Sequence, residues 1–572
     1  ERASALLDFF YRQSKADETL NPQSYFPTQF VTRHSEVKRN PDWEFENGLI
    51  YFQNIGLGGA IDVQELIDGY PEVVGGSTRK PKRDFKAKQN LKWSNTEWLD
   101  AFMRHLRKHV ALTAAYQNAE ITDLKFSYPK AFTTTERSRF NNVLDRAWSD
   151  LVEHGSATES TISLSSEAEA IRNRFVKETG AYVILDVGGG TTDVIAFHDN
   201  RPIFQTSYRA AAGLINDYVA ASTSFRIAFL EAMEKVLGER YSQILPRPLE
   251  KKFQEGKGTD ESVIKTVWIG LLTRIEQENT DLTQVLHELR DPASNIVEDE
   301  ATEKAVQGFF LSVALLFTGS VFNAGVLLHA ASQGVFSDGK NGFDPEFTDL
   351  KLTGNGSKLL GMLHESTQPF DPVLQKALYA GIRAAGDQAP SFEVSDIDFR
   401  GIDQVDEGRS PKVSVSLGLL DEAELPSGDS GAGNVPVANI VAESGYDENG
   451  LDGAGEDLIR FYEGAHENGF KAPTETPDLF GQYLEALNEM LPRGNNEGAH
   501  VLPGVGPNWH EGVREEIYPD SRRIINTRVK KNAAELVDQR DNFDRDDIPA
   551  LESLFVVQLR SLIEQVRKDF AG

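Results

Sequence analysis

The chain has 572 residues, a formal net charge of −29 and no cysteine. That length makes room for roughly two to four domains around a large core. The charge makes nucleic acid and anionic membranes poor partners and suits Mg²⁺ or a basic protein surface; the lack of cysteine excludes disulfides, thiolate zinc sites and cysteine nucleophiles, and fits a reducing cytoplasm.

Residue 1 is Glu rather than Met, and no basic-then-apolar leader follows, so the expectation is a chain whose first residues are missing. Ala3 to Arg12 predicts a short helix. Tyr25 to Val31 and Gly48 to Phe52 predict extended segments. Ile55-Gly56-Leu57-Gly58-Gly59 is glycine-rich without a leading acid and reads as a turn. Val73 to Lys82, VVGGSTRKPK, reads as an exposed basic loop. Thr96 to Asn118 predicts an amphipathic helix, with Trp98, Leu99, Phe102, Met103, Leu106, Val110 and Leu112 at helical spacing and Asn95 as its cap. His105 and His109 stand i, i+4 on it, but with no third ligand nearby they read as surface residues.

Ile121 to Tyr128 predicts a strand ended by Pro129. Phe132 to Glu153 predicts a helix with Phe140, Val143, Leu144 and Trp148 on one face. Ser160 to Leu164 predicts another strand, running into Ser165-Ser166-Glu167-Ala168-Glu169-Ala170 and a short helix. Then comes the densest signal, Ala181 to Tyr208. Tyr182 to Leu185 is apolar on both faces, as a central strand should be, and ends in Asp186. Gly188, Gly189, Gly190, Thr191 and Thr192 follow, then a second acid, Asp193, and a second apolar run, Val194 to Phe197. Asp199-Asn200 marks a turn before a third strand from Ile203.

Three successive glycines let backbone N–H groups approach an anion without Cβ interference, and the threonines add hydroxyl donors. An acid at the end of a buried strand is not there for packing; beside phosphates its task is to hold hydrated Mg²⁺. The pattern asks for a metal-chelated polyphosphate. No G-x-G-x-x-G leads into a helix and no G-K-[ST] follows the glycines, which argues against a dinucleotide fold or a P-loop.

The eight residues Asp186-Val187-Gly188-Gly189-Gly190-Thr191-Thr192-Asp193 resemble the second phosphate-binding loop of the actin/Hsp70/sugar-kinase superfamily, most nearly its bacterial Hsp70-like, FtsA-like and MreB-like branches. The resemblance implies a two-lobed α/β ATPase fold built on ribonuclease H-like lobes. It makes Glu167, with Glu169 second, the acid that faces water near the γ-phosphate. It also makes Ala210-Ala211-Ala212-Gly213 a small-residue turn against the nucleotide, although Gly213 is the one glycine of the expected pair. The family's first phosphate loop, a D-x-G-T-type hairpin near its N-terminus, has no counterpart here. VVGGSTRKPK resembles the adenine-side motif of Hsp70 but precedes the phosphate loop instead of following it.

Leu214 to Ala221 predicts a helix, and 224–290 several more, which the resemblance makes a helical insertion. Ala305 to Ser337 contains no Asp, Glu, Lys or Arg. Within it Phe309 to Leu328 is long enough to cross a bilayer, but Ser312, Thr318, Gly319, Ser320, Asn323 and Gly325 interrupt the run and no Lys/Arg cluster flanks it, so it reads as a buried core helix. Phe347 to Leu352 predicts a strand, followed by the turn Thr353-Gly354-Asn355-Gly356-Ser357-Lys358 and a helix from Leu359. This resembles the family's adenosine motif, with Ser357 and Lys358 best placed to touch base or ribose. Residues 372–386 predict a helix and Pro411 to Leu420 a strand. From Ser414 to Ile459 ten acids stand without a Lys or Arg, and 421–456 reads as a solvated acidic loop. Leu479 to Leu491 and Ile548 to Val566 predict helices.

The expectation is a first lobe at 1–210, a second at 211–420, an acidic loop at 421–456 and a helical region at 457–572. The 181–208 hairpins would stand in one lobe and the 348–363 unit in the other. Mg²⁺ and ATP would lie on Gly188, Gly189, Gly190, Thr191, Thr192, Gly213, Gly354, Asn355, Gly356, Ser357 and Lys358. Asp186 would hold the metal through water, and Glu167, Asp186 and Asp193 would serve hydrolysis. The rivals are a filament-forming protein of the actin/FtsA sort, a sugar or small-acid kinase, and a protein that binds nucleotide without turnover. Apart from nucleotide, the expected partner is a protein.

Overall fold

The structure is a computed structural model. It describes short strands within residues 29–88, helical positions between 99 and 110, and most of 121–154, 161–171, 181–332, 348–384, 460–490, 512–539 and 553–571. The predicted helix at 3–12, the loop at 73–82, the strand at 411–420 and the acidic loop at 421–456 lie outside the described residues. The chain divides into two compact units. One comprises Glu1–Leu124, Thr135–Ser163 and Met233–Leu282; the other comprises Lys125–Thr134, Leu164–Ala232 and Thr283–Gly572.

The strands are β1 (Gln29–Arg33), β2 (Ile50–Phe52), β3 (Phe85–Lys88), β4 (Asp123–Tyr128), β5 (Thr161–Ser166), β6 (Ala181–Val187), β7 (Thr192–His198), β8 (Arg201–Tyr208) and β9 (Thr348–Thr353). The helices used below are α1 (Thr134–His154), α2 (Gly213–Ala221), α3 (Thr223–Leu237), α4 (Glu261–Gln277), α5 (Leu282–Arg290), α6 (Glu300–Ser332), α7 (Asp371–Ala384), α8 (Leu479–Met490), α9 (Tyr518–Gln539) and α10 (Leu554–Phe570).

The first unit holds an antiparallel sheet with β1 between β2 and β3. Its helix α1 buries the predicted face of Phe140, Val143, Leu144 and Trp148, and the Arg107 guanidinium donates to the Ala147 carbonyl at 2.9 Å.

The second unit is built on a four-stranded sheet ordered β8-β7-β6-β9. β6, β7 and β8 run antiparallel as a meander, and β9 pairs in parallel with β6. A parallel neighbour requires a crossover connection, and here the crossover contains α2 to α6. The expected placement of the glycine hairpin and the 348–363 unit in separate lobes is therefore corrected: Asp186 pairs with Thr353 inside one sheet. The two lobes came from the family resemblance, but backbone pairing between β6 and β9 joins the two segments in one sheet.

Helix α6 is the core of this unit. Asp299 begins it, its carboxylate accepting the Thr302 N–H at 2.9 Å and the Thr302 hydroxyl at 2.6 Å. An 18-residue window reaches a mean hydropathy of 1.9, enough in length and composition for a bilayer, and all of it is buried inside the fold. Its polar residues are absorbed locally: Ser312 and Thr318 donate to the carbonyls four residues back, each at 2.7 Å. Close packing relies on small residues. A Cβ at Gly325 would strike the Leu378 carbonyl of α7, and one at Gly381 would strike the Phe322 carbonyl of α6, so the two backbones touch where they cross. Helices α8, α9 and α10 complete the layer. Tyr483 of α8 shares a 2.8 Å hydrogen bond with Thr318, and Phe322 stacks on Phe555 of α10 with centroids 5.5 Å apart.

Candidate functional site

Alternation along β6 and β7 sorts their residues onto two faces. Tyr182, Ile184, Ile195 and Phe197 cluster on one of them together with Ile171. Asp186 and Asp193 continue that face, directly opposite each other in the antiparallel register. Both are buried, at 8% and 2% exposure. Two acids facing each other across a ladder repel, so the arrangement favours a cation between or above them.

Between them the glycine bend is closed by the Gly188 N–H donating to the Thr191 carbonyl at 2.8 Å. The turn at 210–213 clamps it from behind. The Ala212 N–H donates to the Gly188 carbonyl at 3.2 Å, and the Thr192 hydroxyl donates to the Ala210 carbonyl at 2.6 Å. A Cβ on Gly213 would strike the Gly189 carbonyl, which is why α2 can start against the bend. Thr191 donates to Asp193 at 3.4 Å. The expected donors thus divide into two groups. The Gly188 N–H and the Thr192 hydroxyl are consumed by the fold. No backbone hydrogen bond among the described residues takes up the N–H of Gly189 or Gly190, and Gly189 is exposed.

The second bend follows β9. Gly354 has φ +83°, a left-handed conformation that glycine adopts without strain. Its Cα lies against the Asp186 carboxylate, and a Cβ there would also come within 2.6 Å of the Val187 carbonyl. A Cβ on Gly356 would lie 2.5 Å from that carbonyl and 2.8 Å from the Ala212 methyl. The turn continues as a 3₁₀ helix, Asn355–Met362, in place of the expected α-helical start. Its tightness follows from Ser357, whose hydroxyl and N–H both donate to the Gly354 carbonyl at 2.6 and 3.1 Å. Ser357 is fully buried, so its hydroxyl shapes the bend instead of reaching outward. Lys358 is half-buried.

Glu167 opens the short helix after β5 and is half-buried. Four residues on, Ile171 packs into the cluster on the Asp186–Asp193 face of the sheet. The helix carrying Glu167 is therefore laid over the same face as the two aspartates.

The arrangement offers two oxygen-donor carboxylates, two backbone N–H donors at an exposed glycine bend and a second glycine bend alongside. Among the described residues no group of three or more His, Asp or Glu gathers to hold a metal by itself. Two carboxylates with phosphate and water oxygens completing the shell is the habit of Mg²⁺. The sequence marked Ala210-Ala211-Ala212-Gly213 as a turn against the nucleotide; what it did not show is that Ala210 and Ala212 brace the two bends, through a carbonyl, an N–H and a methyl.

No known protein family matches the chain by sequence, and no curated protein matches it. Among solved structures, MreB5 of Spiroplasma citri bound to ADP aligns at 15% identity, over 47% of this chain and 74% of that one, with a TM-score of 0.23. The same protein bound to AMPPNP aligns at 14% identity over the same shares, with a TM-score of 0.22. At such scores the superposition carries no weight, and the site stands on its own residues.

Proposed function

We propose that the second unit binds ATP with Mg²⁺ and acts as a slow ATPase of the actin/Hsp70 type, its output a conformational change. One observation carries this reading. The parallel pairing of Asp186 with Thr353 sets the Gly188–Thr191 and Gly354–Ser357 bends side by side, at the carboxyl ends of adjacent parallel strands, where open α/β sheets hold their ligands.

The N–H groups of Gly189 and Gly190 hold phosphate oxygens, and the Gly354–Gly356 backbone takes the nucleoside side because no Cβ intervenes. Asp186 and Asp193 would hold the metal through its waters, and the metal would supply charge neutralisation for the phosphates. Glu167 aligns the attacking water.

Calorimetric titration of Mg²⁺-ATP into the wild-type chain and Asp186→Ala tests binding; phosphate release by wild type, Asp186→Ala and Glu167→Ala tests turnover. Binding lost in Asp186→Ala and hydrolysis lost in both are expected. Unchanged rates in both variants would end the mechanism. Nucleotide-dependent sedimentation would assign the output to filament formation.

A further inference from the structure

The sheet face that carries Asp186 and Asp193 holds more oxygen than those two acids. In the backbone register Thr353 of β9 stands beside Asp186, Asp186 opposite Asp193, and Asp193 opposite Ser207 of β8. Paired residues direct their side chains to the same face of a sheet. Thr353, Asp186, Asp193 and Ser207 therefore make one row across all four strands, in the order hydroxyl, carboxylate, carboxylate, hydroxyl. The row is buried from end to end, with Thr353 and Ser207 each 3% exposed.

On the two centre strands the polar character ends with that row. One pleat further from the bends stand Ile184 and Ile195, flanked by Lys351 and Gln205. Beyond them Tyr182 stacks on Phe197, with centroids 4.8 Å apart. The acids thus sit on an apolar floor, and hydroxyls stand at their outer sides. A hydroxyl donates where a carboxylate accepts, and carboxylates that serve a metal are themselves held by neighbouring donors. The Asp186 carboxylate already lies on the β9 flank, because one of its oxygens rests against the Cα of Gly354, the residue after Thr353. On the other acid, Thr191 reaches one oxygen from the bend, and Ser207 faces the same residue across the ladder.

We propose that Thr353 and Ser207 are positioning residues for the divalent cation. Their hydroxyls hold the two carboxylates from either flank, so that both acids meet the hydrated ion over the middle of the row. The inference rests on the Mg²⁺-ATP reading above and adds to it two residues on the outer strands.

The test is calorimetric titration of ATP at a series of Mg²⁺ concentrations, which gives the Mg²⁺ needed for half-maximal affinity. It is run on the wild type, Thr353→Val, Ser207→Ala, Thr353→Ser and Thr206→Val. Valine keeps the shape of threonine, so folded variants are expected. Thr206 pairs with Val194, so it faces the other side of the sheet, and it is equally buried. Thr353→Val and Ser207→Ala should each raise the Mg²⁺ requirement roughly ten-fold. Thr353→Ser keeps the hydroxyl and should stay near the wild type, and Thr206→Val should leave the requirement unchanged even where it lowers Tm. An unchanged requirement in both Thr353→Val and Ser207→Ala overturns the proposal, as does an equal rise in Thr206→Val. A rise in only one of the two overturns the role of the other residue. A wild type that binds no ATP at any Mg²⁺ concentration ends the nucleotide reading and this inference with it, a result distinct from a wild type that binds and variants that match it.

Discussion

The Cα of Gly354 rests against the carboxylate of Asp186, so that any side chain at 354 would occupy the space that the acid occupies. The contact joins two glycine bends that lie over 160 residues apart in sequence. Gly354→Ala should destabilise the fold by about 1–3 kcal/mol through backbone strain alone, and abolish nucleotide binding by displacing Asp186. Gly469 has a similar φ of +75° with nothing within 4 Å of its missing Cβ. Gly469→Ala should carry the strain and leave binding untouched. Equal effects of the two on affinity would refute the role of the Gly354–Asp186 contact.

The facing pair Asp186 and Asp193 sets a second expectation. Without divalent cation, Asp193→Asn should be more stable than wild type, because a like-charge repulsion across the ladder is relieved, by about 0.5–1 kcal/mol. With Mg²⁺ and nucleotide the order should reverse. Urea unfolding with EDTA and then with Mg²⁺-ATP reads both signs.

Thr192 and Thr191 look equivalent in sequence but are not. The Thr192 hydroxyl is buried and bonded to Ala210. Thr192→Val should cost about 1–2 kcal/mol of stability, the price of leaving the Ala210 carbonyl without its donor. Thr191→Val should cost less stability and show its effect in nucleotide affinity. Denaturant midpoints and titrations on the two variants separate them.

At the C-terminal layer, Arg528 of α9 donates to Glu564 of α10 at 2.6 Å. Burial by itself would raise the Glu564 carboxyl, but the Arg528 hydrogen bond and charge, with Lys568 and Arg567, hold it below its ordinary value. A carboxyl depressed in the fold contributes stability above its unfolded pKa and loses it as pH falls through the folded one. Stability should therefore decline below about pH 4.5, and Glu564→Gln should remove that part of the acid sensitivity. The change at pH 7 should be about 1–2 kcal/mol, read from unfolding curves across pH.

Inside the same layer, the Tyr483 hydroxyl meets Thr318 at 2.8 Å and the Leu315 carbonyl at 3.3 Å. Tyr483→Phe should cost about 1 kcal/mol with no effect on nucleotide affinity, since its partners among the described residues, Thr318, Leu315, Phe322, Phe480 and Phe555, belong to the helical layer. A large loss of affinity would place α8 within the site.

The sequence by itself determined what is local. Strand β6, its terminal acid, the glycine bend, strands β7 and β8, the buried character of α6 and helix α8 follow from apolar periodicity, glycine runs and charge-free composition, and they stand within a few residues of where those signals put them. What tertiary structure decided is which of these pieces are neighbours. Hydrogen bonding between β6 and β9 placed two distant bends in one sheet, where the family resemblance had implied two lobes. It also settled the tasks of chemically similar groups. Ser357 and Thr192 look like ligand donors, but each is consumed by a carbonyl that only folding brings near, Gly354 for one and Ala210 for the other. A side chain's chemistry is written in its letter; whether its hydrogen-bonding capacity remains for a ligand depends on the backbone that packs beside it.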